Sequence, residues 1–286
     1  MRRAPWSMLA LMWLPAGLGA QEMSGMPAME TPRGTAAERP PAESLRTVDQ
    51  VKGYLTRVRE GQIPDLSRLD LSGLDFRGVD FRKADLSGAT LTGTHFDQAN
   101  LFSCDFTDAT ATGATFTGAN LDVATLRRAN LRQANFRKAS LFAAIIEAAD
   151  LREADLRETR IIGYLRKANL AGARLTDANI GADPGNQSMG VMRAQFLNAD
   201  LAGADLARAN LYKADFSYAS LVGANLTGAD LRNADLVQTD FTRADVTGVD
   251  LENADIEGAI FTGARGVATL KGLAQTRNRD LARFDP

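Results

Sequence analysis

Along most of the chain a large apolar residue returns at every fifth position, with a small residue two places before it and an acid or amide one place before it. Ala84-Asp85-Leu86-Ser87-Gly88 is one such unit, Ala204-Asp205-Leu206-Ala207-Arg208 another, and Ala229-Asp230-Leu231-Arg232-Asn233 a third. With the large apolar position written i, a first run has i at Leu66, Leu71, Phe76, Phe81 and onward to Ile161, Ala111 being its weak member. A second places i at Leu165, Leu170, Leu175 and Ile180, and a third runs from Phe196 to Phe261. A fixed period of this extent predicts stacked repeats, each burying its apolar residues against its neighbours.

Five fits neither of the ordinary apolar periods, the alternating three and four of a helix or the two of a strand. A short extended stretch puts i−2 and i on one side, and the other residues must then turn the chain. Glycine recurs at i+2 (Gly73, Gly78, Gly88, Gly93, Gly113, Gly118, Gly223, Gly228), as a turn position with positive φ requires. Asp and Asn at i−1 can bond nearby backbone and so favour that turn over a longer strand. The expected product is a coil bending at every unit, with Ala and Leu or Phe inside.

The period breaks twice. Ile161 to Leu165 is one residue short, and after Ile180 the next good centre is Phe196. Reading straight through would put Gly185 and Gly190 in the core, so an excursion of eleven residues is expected over 182–192.

The A-(D/N)-L-x-x units resemble the pentapeptide-repeat family across about two thirds of the chain. The resemblance implies an all-β solenoid: a right-handed quadrilateral β-helix, four units to a coil. The thirty-eight units then make nine to ten coils over residues 62–265, a stack about 45 Å long at one strand spacing per coil. Such a stack exposes an edge at each end and needs covers. Val48, Val51, Leu55 and Val58 fall at helical spacing, with Thr47 and Gln50 as a capping box, so 44–61 is expected to be a capping helix. Residues 266–286 leave the period but carry Leu270, Leu273, Leu281 and Phe284, and are expected to form a C-terminal cap, completing a solenoid with short helical caps.

Residues 1–20 have the form of an export signal: Arg2 and Arg3, a short apolar core from Met8, and small residues up to Ala20. The expectation is a secreted or periplasmic protein starting at Gln21, with no integral membrane segment after cleavage. Residues 21–43, rich in Met, Pro and Ala, are expected to be a disordered leader. Within it Met23, Met26 and Met29 offer soft thioether ligands of the kind that hold Cu(I). Removing two arginines with the signal takes the formal charge from −2 to −4. Much of the acid is Asp at i−1, so the freely displayed positions are more basic, as in Arg127, Arg128, Arg132, Arg137 and Lys138. Cys104 occupies an i−2 slot and reads as a small buried residue.

Catalysis needs convergent groups, whereas repeats scatter them. His95 is the single histidine, and no Ser–His–Asp, Cys–His or zinc-ligand spacing and no Gly-rich loop opening a helix is present. The sequence therefore reads as non-enzymatic and without a cofactor: an exported scaffold that binds a protein partner it does not identify, or supports structure in the cell envelope. The family resemblance implies a second reading, a DNA-mimicking gyrase-binding dimer, against which the signal and the Arg-rich coil speak. Copper handling through the leader is a third. No nucleic-acid partner is expected, and an end cap offers a surface for a homodimer. For the partner surface, Phe102, Phe142 and Ile162 stand in outward i+1 positions of one column, and Met189 and Met192 lie on the adjoining excursion. Loop and stripe form either a partner site or a self-covered surface.

Overall fold

Five backbone N–H groups in each unit need acceptors, and their destinations set the architecture. The computed structural model describes residues 35–182 and 193–285, and the unit centred on Leu86 is representative. Ala84 N–H closes a turn onto the Phe81 carbonyl (2.8 Å), and Asp85 N–H reaches back one coil to Pro64 (2.8 Å). Leu86 and Gly88 N–H reach forward one coil, to Asp105 (2.7 Å) and Thr107 (2.8 Å). The fifth, on Ser87, donates to Asp85 Oδ1 at 2.9 Å, an Asx turn. All five donors of this unit are thereby paired.

The i−1 residues join successive coils as parallel pairs twenty positions apart: Asp65 with Asp85, Asp85 with Asp105, Asp105 with Thr125. Four units therefore close one coil of a β-solenoid. Positions i and i−2 point inward and are buried along the stack. Side chains one coil apart stack directly: Phe76, Phe96, Phe116 and Phe136 form one column with ring centroids 5.7, 5.3 and 4.6 Å apart. That spacing is close to the separation of neighbouring strands. Polar residues in the i−2 slots are satisfied from within. Thr94 and Thr239 donate their hydroxyls to the carbonyls of Leu71 and Phe216, and Cys104 its thiol to that of Phe81. Burial pushes the Cys104 thiol far up and leaves it inert.

Every repeat turn needs a left-handed residue at i+2, whether or not it is glycine. Arg68, Gln98, Val123, Arg128 and Tyr218 hold φ of 56, 59, 61, 53 and 61° beside Gly73 and Gly88 at 67 and 64°.

The two breaks in period leave the stack intact. Ser140–Ile145 (β3) and Arg160–Tyr164 (β4) pair in parallel, Phe142 with Ile162 and Ile145 with Tyr164, with a register shift between them. The short unit has no i+2 residue, so the chain runs extended across that corner. Gly163 is obligatory there, because a Cβ would collide with the Ala144 carbonyl oxygen. One coil later Tyr164 pairs with Gln195 and Asn179 with Asn210, thirty-one positions on, which is eleven more than the usual coil. The twenty-residue step then resumes at Gln195 with Asp215.

At the N-terminal end Val48–Leu55 (α1) begins at Thr47, whose side chain accepts from Gln50 N–H while Gln50 returns the bond. Tyr54 is buried from α1, and its hydroxyl accepts from Asp65 N–H at 3.0 Å, closing a donor on the first coil. One boundary needs correction. Residues 35–43, assigned above to the disordered leader, are ordered: Thr35–Ala36 (β1) pairs with Gln62–Ile63 (β2), Ala37 is buried, and Arg39 reaches Asp65. These residues continue the sheet edge one step beyond the repeats, which is why they are held.

The C-terminal end also differs from expectation. Residues 266–285 form a further coil made of six-residue units, not a helical cap outside the stack. Arg265, Lys271, Arg277 and Arg283 take the pairing positions against Asp245, Asp250, Asp255 and Ile260. Short 3-10 turns at Val267–Thr269, Leu273–Gln275 and Arg279–Leu281 absorb the sixth residue. Phe284 stacks on Phe261 at 4.9 Å and so extends an interior column.

Candidate interaction surface

Three positions of each unit face outward, i−1, i+1 and i+2, and most of their polar groups are committed to the fold. Where Arg follows Asp two places on, the pair closes a two-pronged ion pair: Arg77 on Asp75, Arg82 on Asp80, Arg152 on Asp150, Arg157 on Asp155 and Arg232 on Asp230. The Arg77 guanidinium and the Arg77 backbone N–H together hold Asp75 down to about 2. The basic cluster seen in the sequence is likewise spent. Arg128 pairs with Asp108, Arg137 and Lys138 with Glu158, Arg127 with Glu147 and Arg132 with Glu153.

One hydroxyl–imidazole–carboxylate constellation does occur. Thr115 Oγ1 donates to Asp97 Oδ2 at 2.6 Å, and His95 Nδ1 lies 3.1 Å from Thr115 Oγ1. With its only proton on Asp97, Thr115 must accept from the imidazole N–H. The order is the reverse of a nucleophile activated by histidine. Burial opposes ionisation of Asp97, yet the hydrogen bonds from Thr115 and Thr117 outweigh it and lower its pKa.

A second feature is an open groove of about 490 Å³ lined by Arg193, Lys213, Asn233, Asn253 and Arg277. Its cations are partly occupied. Arg193 bridges Asp215 and Asp235 across two coils, and Arg277 reaches Asp235 and Asp255 from the other side. Among the described residues no group of three or more His, Cys, Asp or Glu side chains is arranged to hold a metal ion.

The expected stripe is partly assembled. Phe142 and Ile162 are paired neighbours, but Asp122 stands between Phe102 and Phe142 in the same column and accepts from Phe142 N–H at 2.9 Å. Phe102 and Phe142 are half-buried, and Ile162 is only 1% exposed. The Arg160 guanidinium lies 4.6 Å from the Phe142 ring centre. Met189 and Met192, and the leader residues Met23, Met26 and Met29, lie outside the described residues.

Sequence reasoning missed the other half of this surface. Around the corner from Phe142 come Ile145 and Tyr164, both in i−1 slots that elsewhere carry mainly Asp, Asn or Thr, and Val123 in an i+2 slot. Val123 N–H donates to the Phe142 carbonyl (2.7 Å), while Thr125, Ile145 and Tyr164 are successive members of one ladder. Val123 and Tyr164 are 43% and 41% exposed. The signal is present in the sequence: an apolar residue in any outward slot, i−1 and i+2 as well as i+1, breaks the pattern.

A family model described as pentapeptide repeats matches the chain in eight copies, over residues 65–102, 104–141, 119–158, 192–228 and 224–263, more than half of its length. No curated protein matches it. Among solved structures it is similar to HetL, a pentapeptide repeat protein involved in heterocyst differentiation regulation in the cyanobacterium Nostoc. That likeness is 26% identical over 83% of this chain and 94% of that one, with a TM-score of 0.37. QnrB1, a plasmid-mediated fluoroquinolone resistance protein, is 20% identical over 74% and 92%, with a TM-score of 0.40. A pentapeptide repeat protein of the Arabidopsis thaliana thylakoid lumen is 32% identical over 38% and 66%, with a TM-score of 0.22.

Proposed function

This chain belongs to the pentapeptide-repeat family, and we propose that it is an exported, non-enzymatic scaffold of nine to ten right-handed coils that acts in the cell envelope by binding through its outer surface. The observation that carries this reading is where the polar groups go. The i−1 acids and amides close Asx turns, and the arginines beside them close ion pairs, so little reactive chemistry is left to converge on a substrate. Departures from the pattern that are apolar and outward gather at the corner of Val123, Phe142, Ile145 and Tyr164, whereas Tyr218 and Ile260 stand apart from it. The same pairing disfavours a DNA mimic, which needs an unbroken acidic surface; here Asp75, Asp80, Asp108, Asp150 and Asp155 each carry an arginine. Export rests on the form of residues 1–20.

The test is cell fractionation with N-terminal sequencing, followed by capture of envelope proteins on the immobilised chain. A mature N-terminus at Gln21 in the envelope fraction, with an envelope protein captured on the immobilised chain, is the expected result. An intact Met1 in the cytosolic fraction would overturn it.

A further inference from the structure

We infer that the corner formed by Val123, Phe142, Ile145 and Tyr164 docks the solenoid on a membrane surface rich in anionic lipid. This deepens the scaffold reading by naming what one part of the outer surface touches. Three observations carry it.

The first is composition. On three successive coils the outward slots at this corner hold Asp122, Val123 and Thr125, then Phe142, Ala143 and Ile145, then Tyr164. The Asp122 carboxylate is taken up by Ser140 Oγ and Phe142 N–H, and Val123 and Tyr164 are each more than two-fifths exposed. Contiguous exposed apolar surface on an otherwise polar protein marks a binding site. Tyrosine, with an apolar ring and a polar tip, suits the boundary between headgroups and acyl chains.

The second is charge. Arg166 and Lys167 follow Tyr164 on the same coil, and both are exposed. Arg127, Arg128, Arg132, Arg137, Lys138, Arg152 and Arg157 nearby are all ion-paired. Among the described residues Arg166 and Lys167 make no ion pair, so these unspent cations sit at the edge of the apolar corner. Cations bordering an apolar surface are attracted to anionic headgroups, and their long stems let the charge stay in the headgroup layer.

The third is shape. The residues lie on and beside a turn of the coil, a convex corner, and neither the groove at Arg193 and Lys213 nor the hollow at Tyr54 and Arg57 includes any of them. A protruding corner enters a bilayer interface, whereas a peptide partner needs a groove or free strand edge. Here the edges of β3 and β4 are occupied by the coils on either side: Val123 N–H is on Phe142, and Leu165 N–H is on Gln195.

The experiment is cosedimentation of the chain from Gln21 onward, which keeps the whole described solenoid, with vesicles of equal phosphatidylglycerol and phosphatidylcholine. Vesicles of phosphatidylcholine alone are the control. Binding to the anionic vesicles, weakened at high salt, is expected. Arg166→Gln with Lys167→Gln should reduce the partition coefficient about 30-fold, on the attraction ordinary for two surface cations. Tyr164→Ser should reduce it further, while Tyr218→Ser, at a residue 59% exposed elsewhere on the surface, should leave it unchanged. Unaltered melting temperatures show that the substitutions leave the fold intact. Absence of vesicle binding by the wild type, binding unmoved by these substitutions, or binding of poly-glutamate in place of vesicles would each overturn the inference. None of these outcomes bears on export or on protein capture, which test the scaffold reading separately.

Discussion

Leu206→Asp tests the inward assignment of i most directly. Leu206 is fully buried, its N–H donates forward to Asn225 (2.7 Å), and the preceding Asp205 N–H donates back to Ala173 (2.9 Å). A carboxylate there has no cation within the stack to meet. Removing the leucine from the core costs roughly 2–3 kcal/mol of transfer free energy. The carboxyl then either stays charged or takes up a proton, and protonation at pH 7 from an ordinary pKa near 3.9 costs about 4 kcal/mol. The sum, about 6 kcal/mol, is a large part of a domain's stability. The sign with pH follows. Burial raises the folded pKa above the unfolded one, so the charge penalty is absent below about pH 4 and grows as pH rises toward the folded value. Leu206→Ala, losing about 3–5 kcal/mol, carries no such dependence. Urea unfolding of wild type and both variants at pH 4 and pH 7 is the assay, with hydrogen exchange over the coils of Leu175 and Leu226 to read propagation. A wild-type-like unfolding midpoint, or a Leu206→Asp deficit equal at both pH values, would refute the assignment.

Three further outcomes are expected. Val123→Gly relieves a β-branched residue at φ 61° and should stabilise by about 1 kcal/mol, the left-handed penalty less the backbone entropy of glycine, seen as a melting temperature raised by about 2–4 °C. Gly163→Ala places a Cβ against the Ala144 carbonyl and should destabilise by about 1–3 kcal/mol, read as an earlier urea midpoint. Acidification should lower the melting temperature between about pH 4 and pH 2. Asp75, Asp80, Asp150, Asp155 and Asp230 have lowered pKa values, so their contribution is present above the unfolded carboxylate pKa and is lost as pH falls through the folded one. Asp75→Asn should blunt that fall slightly, and an unchanged acid profile would count against the ion pair.

The repeats were legible because a period of five leaves one way to bury i and i−2 together, and the missing residue before Leu165 and the surplus after Ile180 showed as breaks in it. Less visible was the turn at i+2. Glycine there announces positive φ, but Arg68, Gln98 and Lys138 adopt the same conformation while looking like ordinary surface residues. The terminal coil escaped because its step is six. Arg265-Gly266, Lys271-Gly272 and Arg277-Asn278 repeat a base followed by a residue tolerant of positive φ, a signal that a template of five passes over. The ion pairs between coils and the apolar corner depend on residues about one coil apart, such as Arg128 with Asp108 and Val123 beside Phe142. They become neighbours only once the coil length is known.

The corner between Phe142 and Ile145 also has a consequence for how this molecule can change length. In a flat sheet, deleting one residue turns every later side chain of that strand to the opposite face. Here a deletion falls at this corner in one coil, and an addition of eleven falls at the same corner in the next, yet the pairing resumes in step from Gln195 to Asp215. The stack counts corners rather than residues, so a gain or loss confined to a bend is forgotten by the following coil. Loop closure adds little for modest lengths, and a foreign peptide spliced between Ala182 and Arg193 would be displayed from a frame that has no need to rewind.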